Sequence, residues 1–440
     1  MVRVEVLTAA DAEVRQRRAA GALAAAGCRE GDRVAFCLPS SADLLCAVLG
    51  AARTGVVPVL LNATLLPAER ELLLADADPV RSFLDPASLA ALADGPPVDL
   101  APRPLTRPMH YTSGTTGRPK GVATGIWSGA TAEAVFRDEA DQWRFDPGDL
   151  HMVCSPMYHT VSVRFAAGTL GCGGSLAILS HYHAATALDV LRRLRPTTTF
   201  LAPVHLQRLL ALDALGADER FTSLRLLAHA GAPCPPVLKR AAMARVGEGV
   251  CWEFYGSTEG QFTACPPEDW LARPGTVGRA RAGRRLFTED GVIWCEAPPF
   301  ARFSYWRDEA ATAAAWRGSA FTVGDLGHLD GDGFLFLSGR RHDLIISGGV
   351  NVYPAEVEAA LAEVDGVEEV AVFGRDDHQW GQRVCAAVVG TADLDDVRAA
   401  AARSLAPYKR PKEYRRAADL PHTATGKLLR RQVPEHLGLG

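Results

Sequence analysis

Over residues 8–93, stretches whose apolar positions recur at helical spacing alternate with short unbroken apolar runs, such as those at 34–38 and 56–61. Glycine and proline separate them, and the pattern predicts βα units. A proline-rich connector over 95–108 then leads into a loop dense in Gly, Ser and Thr. Between 150 and 340, strand candidates at 198–202, 224–229 and 292–295 alternate with helical segments such as 185–194, which extends the α/β body. Near Arg340 the texture changes. A helix opens with Pro354 in its first turn and closes before Gly366, strands follow at 367–373 and 384–389, and a second helix covers 395–405. Residues 408–431 read as a basic, loop-like tail. The expected fold class is α/β: a large body of several subdomains over 1–339 and a small mobile α+β lid domain over 340–440, without an internal repeat.

At 440 residues the chain exceeds what one hydrophobic core commonly supports, so a small binding module is excluded. Hydrophobic residues make up 48% and charged residues 22%, which suits a folded globular protein and excludes a disordered one. The net charge of −4 supplies no broad attraction for nucleic acid or anionic lipid, so any anionic ligand has to be held by local geometry. The ten cysteines are scattered, with Cys28, Cys37 and Cys46 nine residues apart. That is neither a redox pair nor paired zinc spacing, and buried reduced thiols are expected. The start of the chain carries charges where a signal peptide needs an apolar stretch, and no uncharged apolar run approaches the ~18 residues of a membrane span. A cytoplasmic protein is predicted, with no nucleic-acid partner and no membrane span.

The segment 111–121 reads Tyr-Thr-Ser-Gly-Thr-Thr-Gly-Arg-Pro-Lys-Gly. Gly114 and Gly117 let backbone N–H groups converge on an anion, the hydroxyls of Thr112, Ser113, Thr115 and Thr116 add donors, and Lys120 supplies charge. Such a loop can wrap a polyphosphate, although it has no Walker A register.

This order of residues resembles the adenylate-forming superfamily of acyl-CoA synthetases, aryl-CoA ligases, luciferases and nonribosomal adenylation domains. The resemblance recurs at Ser-Pro-Met-Tyr-His (155–159), Glu-Phe-Tyr-Gly-Ser-Thr-Glu (253–259), Val-Gly-Asp-Leu-Gly (323–327), the stretch 338–357 and the segment 421–430, and covers most of 15–432. It implies a large N-terminal adenylation domain, a C-terminal lid, and a two-step reaction with ATP, Mg²⁺ and coenzyme A. First a carboxylate oxygen attacks the α-phosphorus of ATP and pyrophosphate leaves. A thiol then takes the acyl group while the lid swings to a second position.

Roles follow from the matching positions. Lys427 is the lid lysine that meets the carboxylate and α-phosphate, and preorganised charge of that kind is worth several kcal/mol. Glu259, after Thr258, is the Mg²⁺ ligand, in keeping with the preference of hard cations for carboxylates. Asp325 is positioned to accept both ribose hydroxyls and Arg340 to reach the ribose or a phosphate. The turn Ala230, Gly231, Ala232 and Pro233 is expected against adenine, with Tyr255 stacking on its other face. Glu253, Phe254, Gly256 and Ser257 complete the nucleotide-contacting block. The acyl pocket is expected from His159, Phe165, Ala230, Tyr255, Gly256 and Gly260, a mixture suited to a flat or medium-length apolar acid. His159 serves there as a wall or gate. The hinge position is His342, where relatives often carry Asp or Lys, and a histidine there would make lid rotation pH-sensitive. His181 and His183 have no partner cluster and receive no role.

The chain is short for the family, without a lead-in before residue 8, with a brief connector ahead of Tyr111 and a trimmed region between Gly278 and Gly324. The named catalytic positions survive, while the identity of the acid does not transfer. Partners are therefore a small-molecule acid, ATP and CoA, with a carrier-protein phosphopantetheine as the other thiol donor and a homodimer among the assemblies left open. Two other readings stand beside the ligase. One is adenylation of an oxyanion such as nitrite with transfer to an amine; the other is a non-catalytic nucleotide-binding regulator, against which Lys120, Glu259, Asp325 and Lys427 all count.

Overall fold

The computed structural model describes residues 2–113, 119–231, 234, 236–339, 345–352, 354–421, 428 and 430–439. Within them the body carries two six-stranded, mostly parallel sheets. The first runs Arg81–Phe83, Arg33–Phe36, Val57–Leu60 and Met109–Ser113 in parallel, then turns antiparallel through Pro119–Ala123 and Ser304–Tyr305. The second places Val4–Thr8 antiparallel at the edge of five parallel strands: Ser175–Leu179, Leu150–Val153, Thr198–Phe200, Leu226–His229 and Cys251–Glu253. Central strands of this kind are buried on both faces, which is why they read as unbroken apolar runs.

The helix Ala42–Arg53 joins the two sheets. Ser41 caps it by accepting a hydrogen bond from the Leu44 N–H at 3.1 Å, and its residues are apolar nearly all round. An all-apolar helix has to be enclosed, and this one packs in a single core with Val34 and Phe36 of the first sheet and Val153 and Ile178 of the second. A third, antiparallel sheet pairs Val292–Glu296 with Arg285–Glu289 and Ala320–Phe321, and its last strand is Leu335–Gly339.

The next described strand, Ile345–Ser347, belongs to a separate five-stranded sheet with Val350–Val352, Gly381–Gly390, Val367–Asp377 and Glu413–Arg416. Alternation along Val367–Asp377 sends Val370 and Val372 to the face covered by the helices Pro354–Ala362 and Leu394–Ser404. Ala371 and Phe373 go to the opposite face, where Leu420, Leu428 and Val433 pack. The expected loop-like tail is corrected here: Glu413–Arg416 is a strand parallel to Gly381–Gly390. All ten cysteines are free; eight are buried, and Cys172 and Cys234 are partly so. Among the described residues no helix is long and apolar enough to cross a membrane.

Candidate active site

A cavity of about 400 Å³ opens where the body meets the C-terminal domain. Its floor comes from residues within two positions of the ends of parallel strands, including Leu61 after Val57–Leu60, Ser155 after Leu150–Val153, Ala230 and Gly231 after Leu226–His229, and Phe254 after Cys251–Glu253. Open α/β sheets bind ligands outside the carboxyl ends of their strands, and here two sheets aim those ends at one space. Thr112, at the end of its strand, and Ser257 and Thr258 line the same cavity. The opposite wall is the C-terminal domain, which contributes Gly348 and Gly349 from the turn between its first two strands, Val350 and Asn351 from the second of them, then Glu356, Tyr408 and Lys409.

The side chains around this space are held by non-local pairs. Thr258 lines the cavity, whereas Glu259, 6% exposed, accepts a hydrogen bond at 2.8 Å from the Tyr305 hydroxyl. Tyr305 is brought there by its strand, which pairs Tyr305 with Val122 two residues beyond Lys120. The Lys120 ammonium lies 5.0 Å from the Tyr305 ring and 3.6 Å from the Asp308 carboxylate. A cation, a hydroxyl and two carboxylates thus gather next to Thr258, although none of these four residues lines the cavity itself. Sequence reasoning missed Tyr305 because only strand pairing places it beside the lysine.

Asp325 is nearly enclosed and accepts the Tyr255 hydroxyl at 2.6 Å. Tyr255 is buried against Phe262, their rings 4.8 Å apart. Glu253 pairs with the fully buried Lys239 at 2.5 Å; burial pushes its carboxyl above the usual range, against the pull of the lysine. Breaking a buried pair of this kind costs about 3–5 kcal/mol, so Glu253 has a scaffolding task whatever else it does.

Three imidazoles line the cavity: His110, His159 and His205. Burial lowers His110 and His159 to about 4 and His205 to about 3, so all three are neutral at pH 7. His110 Nδ1 lies 3.0 Å from the Pro108 carbonyl oxygen and His205 stacks on Tyr182 at 3.9 Å. Several buried polar atoms in the cavity wall have no hydrogen-bond partner in the protein: Ser257 Oγ, Thr160 Oγ1, His110 Nε2, His205 Nδ1, and Nε and Nη2 of Arg164. Native structures rarely leave such groups unpaired, and a ligand in the cavity would give them partners.

Of the pocket positions read from the sequence, His159, Ala230 and Gly256 line the cavity. Phe165, Tyr255 and Gly260 do not, and these expectations are corrected. Phe165 is fully buried in an aromatic cluster with Trp143 and Phe254, and a Cβ on Gly260 would meet the Phe321 ring at 2.8 Å. Lys409, read as part of a solvated tail, is 7% exposed and bonded to two carboxylates. Arg164 was overlooked, although it is the sole charged residue of the helix Thr160–Gly171, and that isolation in an apolar helix is a readable signal. Gly114, Thr115, Thr116, Gly117, Ala232, Pro233, Arg340, His342 and Lys427 lie outside the described residues, as does the side chain of Ser113.

A family model described as AMP-binding enzyme matches residues 2–103 and 107–290, and one for the AMP-binding enzyme C-terminal domain matches 356–427. The chain is 32% identical to indoleacetate–CoA ligase of Aromatoleum aromaticum, over 94% of its own length and 90% of the relative's. A double mutant of o-succinylbenzoate CoA synthetase from Bacillus subtilis, bound with its product analogue OSB-NCoA, superposes with a TM-score of 0.85 at 27% identity, covering 97% of this chain and 93% of that one. The Bacillus subtilis synthetase in complex with the acyl-adenylate intermediate OSB-AMP superposes at 0.67, with 27% identity over 96% and 92%.

Proposed function

The chain belongs to the family of AMP-binding enzymes, and we propose that within it the protein is an acid–thiol ligase that activates a carboxylic acid with ATP and passes the acyl group to coenzyme A. A carboxylate is a poor acyl donor because its leaving group would be oxide. Attack of its oxygen on the α-phosphorus of ATP expels pyrophosphate and leaves an acyl-adenylate, from which a thiolate displaces AMP at the carbonyl carbon.

The observation that carries this reading is the two-sided wall of the cavity. Body residues Thr112, Ser257 and Thr258 face residues 348–351, in the first hairpin of the C-terminal domain, across it. Leu428, next in sequence to Lys427, packs instead on the far face of the small sheet, against Phe373 and Val433. The resemblance gives Lys427 to the adenylation step, so the small domain is expected to turn between the two half-reactions. One site can then run two half-reactions, each with its own cover. The higher TM-score against the product-analogue complex than against the adenylate complex supports assigning the present arrangement to the thioester step.

Within the body, Lys120 neutralises phosphate charge, Asp325 holds the ribose hydroxyls with Tyr255 fixing its carboxylate, and the neutral histidines line the acyl end without competing for anions. The donor that would hold magnesium is the Glu259 carboxylate, whose Oε1 accepts from Tyr305, and an oxygen ligand of this kind suits a hard divalent cation. Bound there, the ion offsets the charge that gathers on the departing pyrophosphate. Ten free cysteines fit a reducing compartment, in keeping with the cytoplasm.

The test is a panel of carboxylic acids, with nitrite as a control oxyanion, assayed for released pyrophosphate and for the acyl product by mass. CoA, a phosphopantetheinylated carrier protein and simple amines serve as acceptors. Thioester and AMP formed in equal amounts with CoA is the expected result. Pyrophosphate released only with nitrite, or no ATP turnover with any acid, contradicts it.

A further inference from the structure

Arg164 lines the cavity, and the one carboxylate it meets among the described residues, Glu139, is shared with Arg281. Its side chain is 17% exposed, and Nε approaches Glu139 Oε2 at 3.3 Å, but neither Nε nor Nη2 makes a hydrogen bond. Behind it the carboxylates are shared: Glu139 Oε1 meets Arg281, while Oε2, the oxygen nearest Arg164, makes no hydrogen bond. Arg281 contacts Glu139 at 2.8 Å and Asp138 at 2.7 Å, and Arg284 contacts Asp138 at 2.9 Å. Three guanidinium groups therefore share two carboxylates, and the surplus faces the cavity through Arg164. Arg107 lies close enough to add to it, and burial together with these neighbouring cations lowers Arg164 to about 10.

A buried guanidinium is costly unless an anion meets it with good geometry, and a second protein carboxylate is absent among its described contacts. Phe254, 5.2 Å from the Arg164 guanidinium, and Phe200 provide apolar wall beside it. The same positive field would repel an ammonium-bearing acid. We propose that the acid taken by this cavity carries a second carboxylate, and that Arg164 receives it while the first is activated. This rests on the ligase reading and names its substrate class; the apolar acid expected from the sequence alone took no account of Arg164.

The experiment uses isosteric pairs on the full chain: adipate against 6-methylheptanoate, and 4-carboxyphenylacetate against 4-isopropylphenylacetate. Each is assayed for kcat and KM in acid-dependent pyrophosphate release, alongside calorimetric binding to the wild type. The diacid of each pair should be favoured by about 10- to 100-fold in kcat/KM, the range of a charge-assisted hydrogen bond. Arg164→Met should erase that ratio through KM of the diacid, and Arg164→Lys should keep part of it, with KM for ATP unchanged in both. If Arg164→Met fails to fold, the wild-type ratios decide alone. Preference for the monoacids in both pairs overturns the proposal. So does an unchanged ratio in Arg164→Met with a raised KM for ATP, which would assign the guanidinium to the nucleotide. Absence of turnover with every acid would instead sink the ligase reading itself.

Discussion

The ammonium of Lys409, in the C-terminal domain, lies 3.0 Å from the Glu69 carboxylate of the body and 2.6 Å from Glu356 of its own domain. The three groups are nearly enclosed, and Glu69 sits in the first turn of the helix Pro67–Ala77, where its other oxygen accepts the Leu66 N–H. A single cation thus ties the two domains together beside the cavity. Lys409→Met would leave two carboxylates buried without a counter-charge, a loss of about 3–5 kcal/mol for the docked arrangement. The expected outcome is a slowed conversion of preformed acyl-adenylate to thioester with adenylate formation retained, read by rapid quench of each half-reaction.

Gly349 makes the same contact sterically. Its φ is +80°, and a Cβ there would sit 3.1 Å from Val204 Cγ1 of the body. A side chain in the left-handed region costs about 1–2 kcal/mol before any contact is counted, equivalent to a factor of about 5–30. Gly349→Ala is therefore expected to slow thioester formation by about tenfold and leave pyrophosphate release near the wild-type rate. Equal slowing of both would contradict the role given to this turn.

Removing the Tyr255 hydroxyl strips a nearly enclosed carboxylate, Asp325, of its 2.6 Å donor. The cost of leaving such a group unsatisfied is about 1–3 kcal/mol. Tyr255→Phe should raise KM for ATP by about tenfold with a smaller change in kcat. A lowered Tm with KM for ATP unchanged would leave Tyr255 a packing role only.

Buried histidines set the acid limit of stability. His110 and His159 are lowered to about 4, and His151 and His205 to about 3, with burial the main cause in each. In the unfolded chain each imidazole binds a proton near pH 6.5, so between about 6.5 and 4 the unfolded state holds more protons. Stability should fall as pH drops through that window, by up to ~1.4 kcal/mol per pH unit for each such group. Urea unfolding at pH 7.5, 6.0 and 5.0 measures it, and His151→Asn should shallow the slope. A flat profile from 6.5 to 5 would contradict the neutral, buried state of these rings.

What the sequence made legible was local. Apolar runs at 34–38 and 56–61 became strands because a strand buried on both faces must be apolar throughout. The helix with Pro354 in its first turn formed because proline fits there. What stayed hidden was non-local. Lys409 looked like part of a solvated basic tail, since the carboxylate that buries it is 340 residues away. Tyr305 reaches Glu259 only through a strand pairing with Val122, and the surplus charge at Arg164 depends on how Arg281, over a hundred residues downstream, occupies Glu139. Phe165, an aromatic residue beside a pocket motif, turned inward because its helix offers one face to the cavity and another to the aromatic core.

The central claim is that two faces of one small domain serve one cavity in turn, and Lys427→Ala tests it most directly. Acid-dependent pyrophosphate release and conversion of synthetic acyl-adenylate to the CoA thioester are measured separately on the same preparation. The account predicts that the first falls by about 10²–10³, the usual loss for one preorganised charge, while the second stays within a few-fold of wild type. Comparable loss in both half-reactions, or neither, would contradict it.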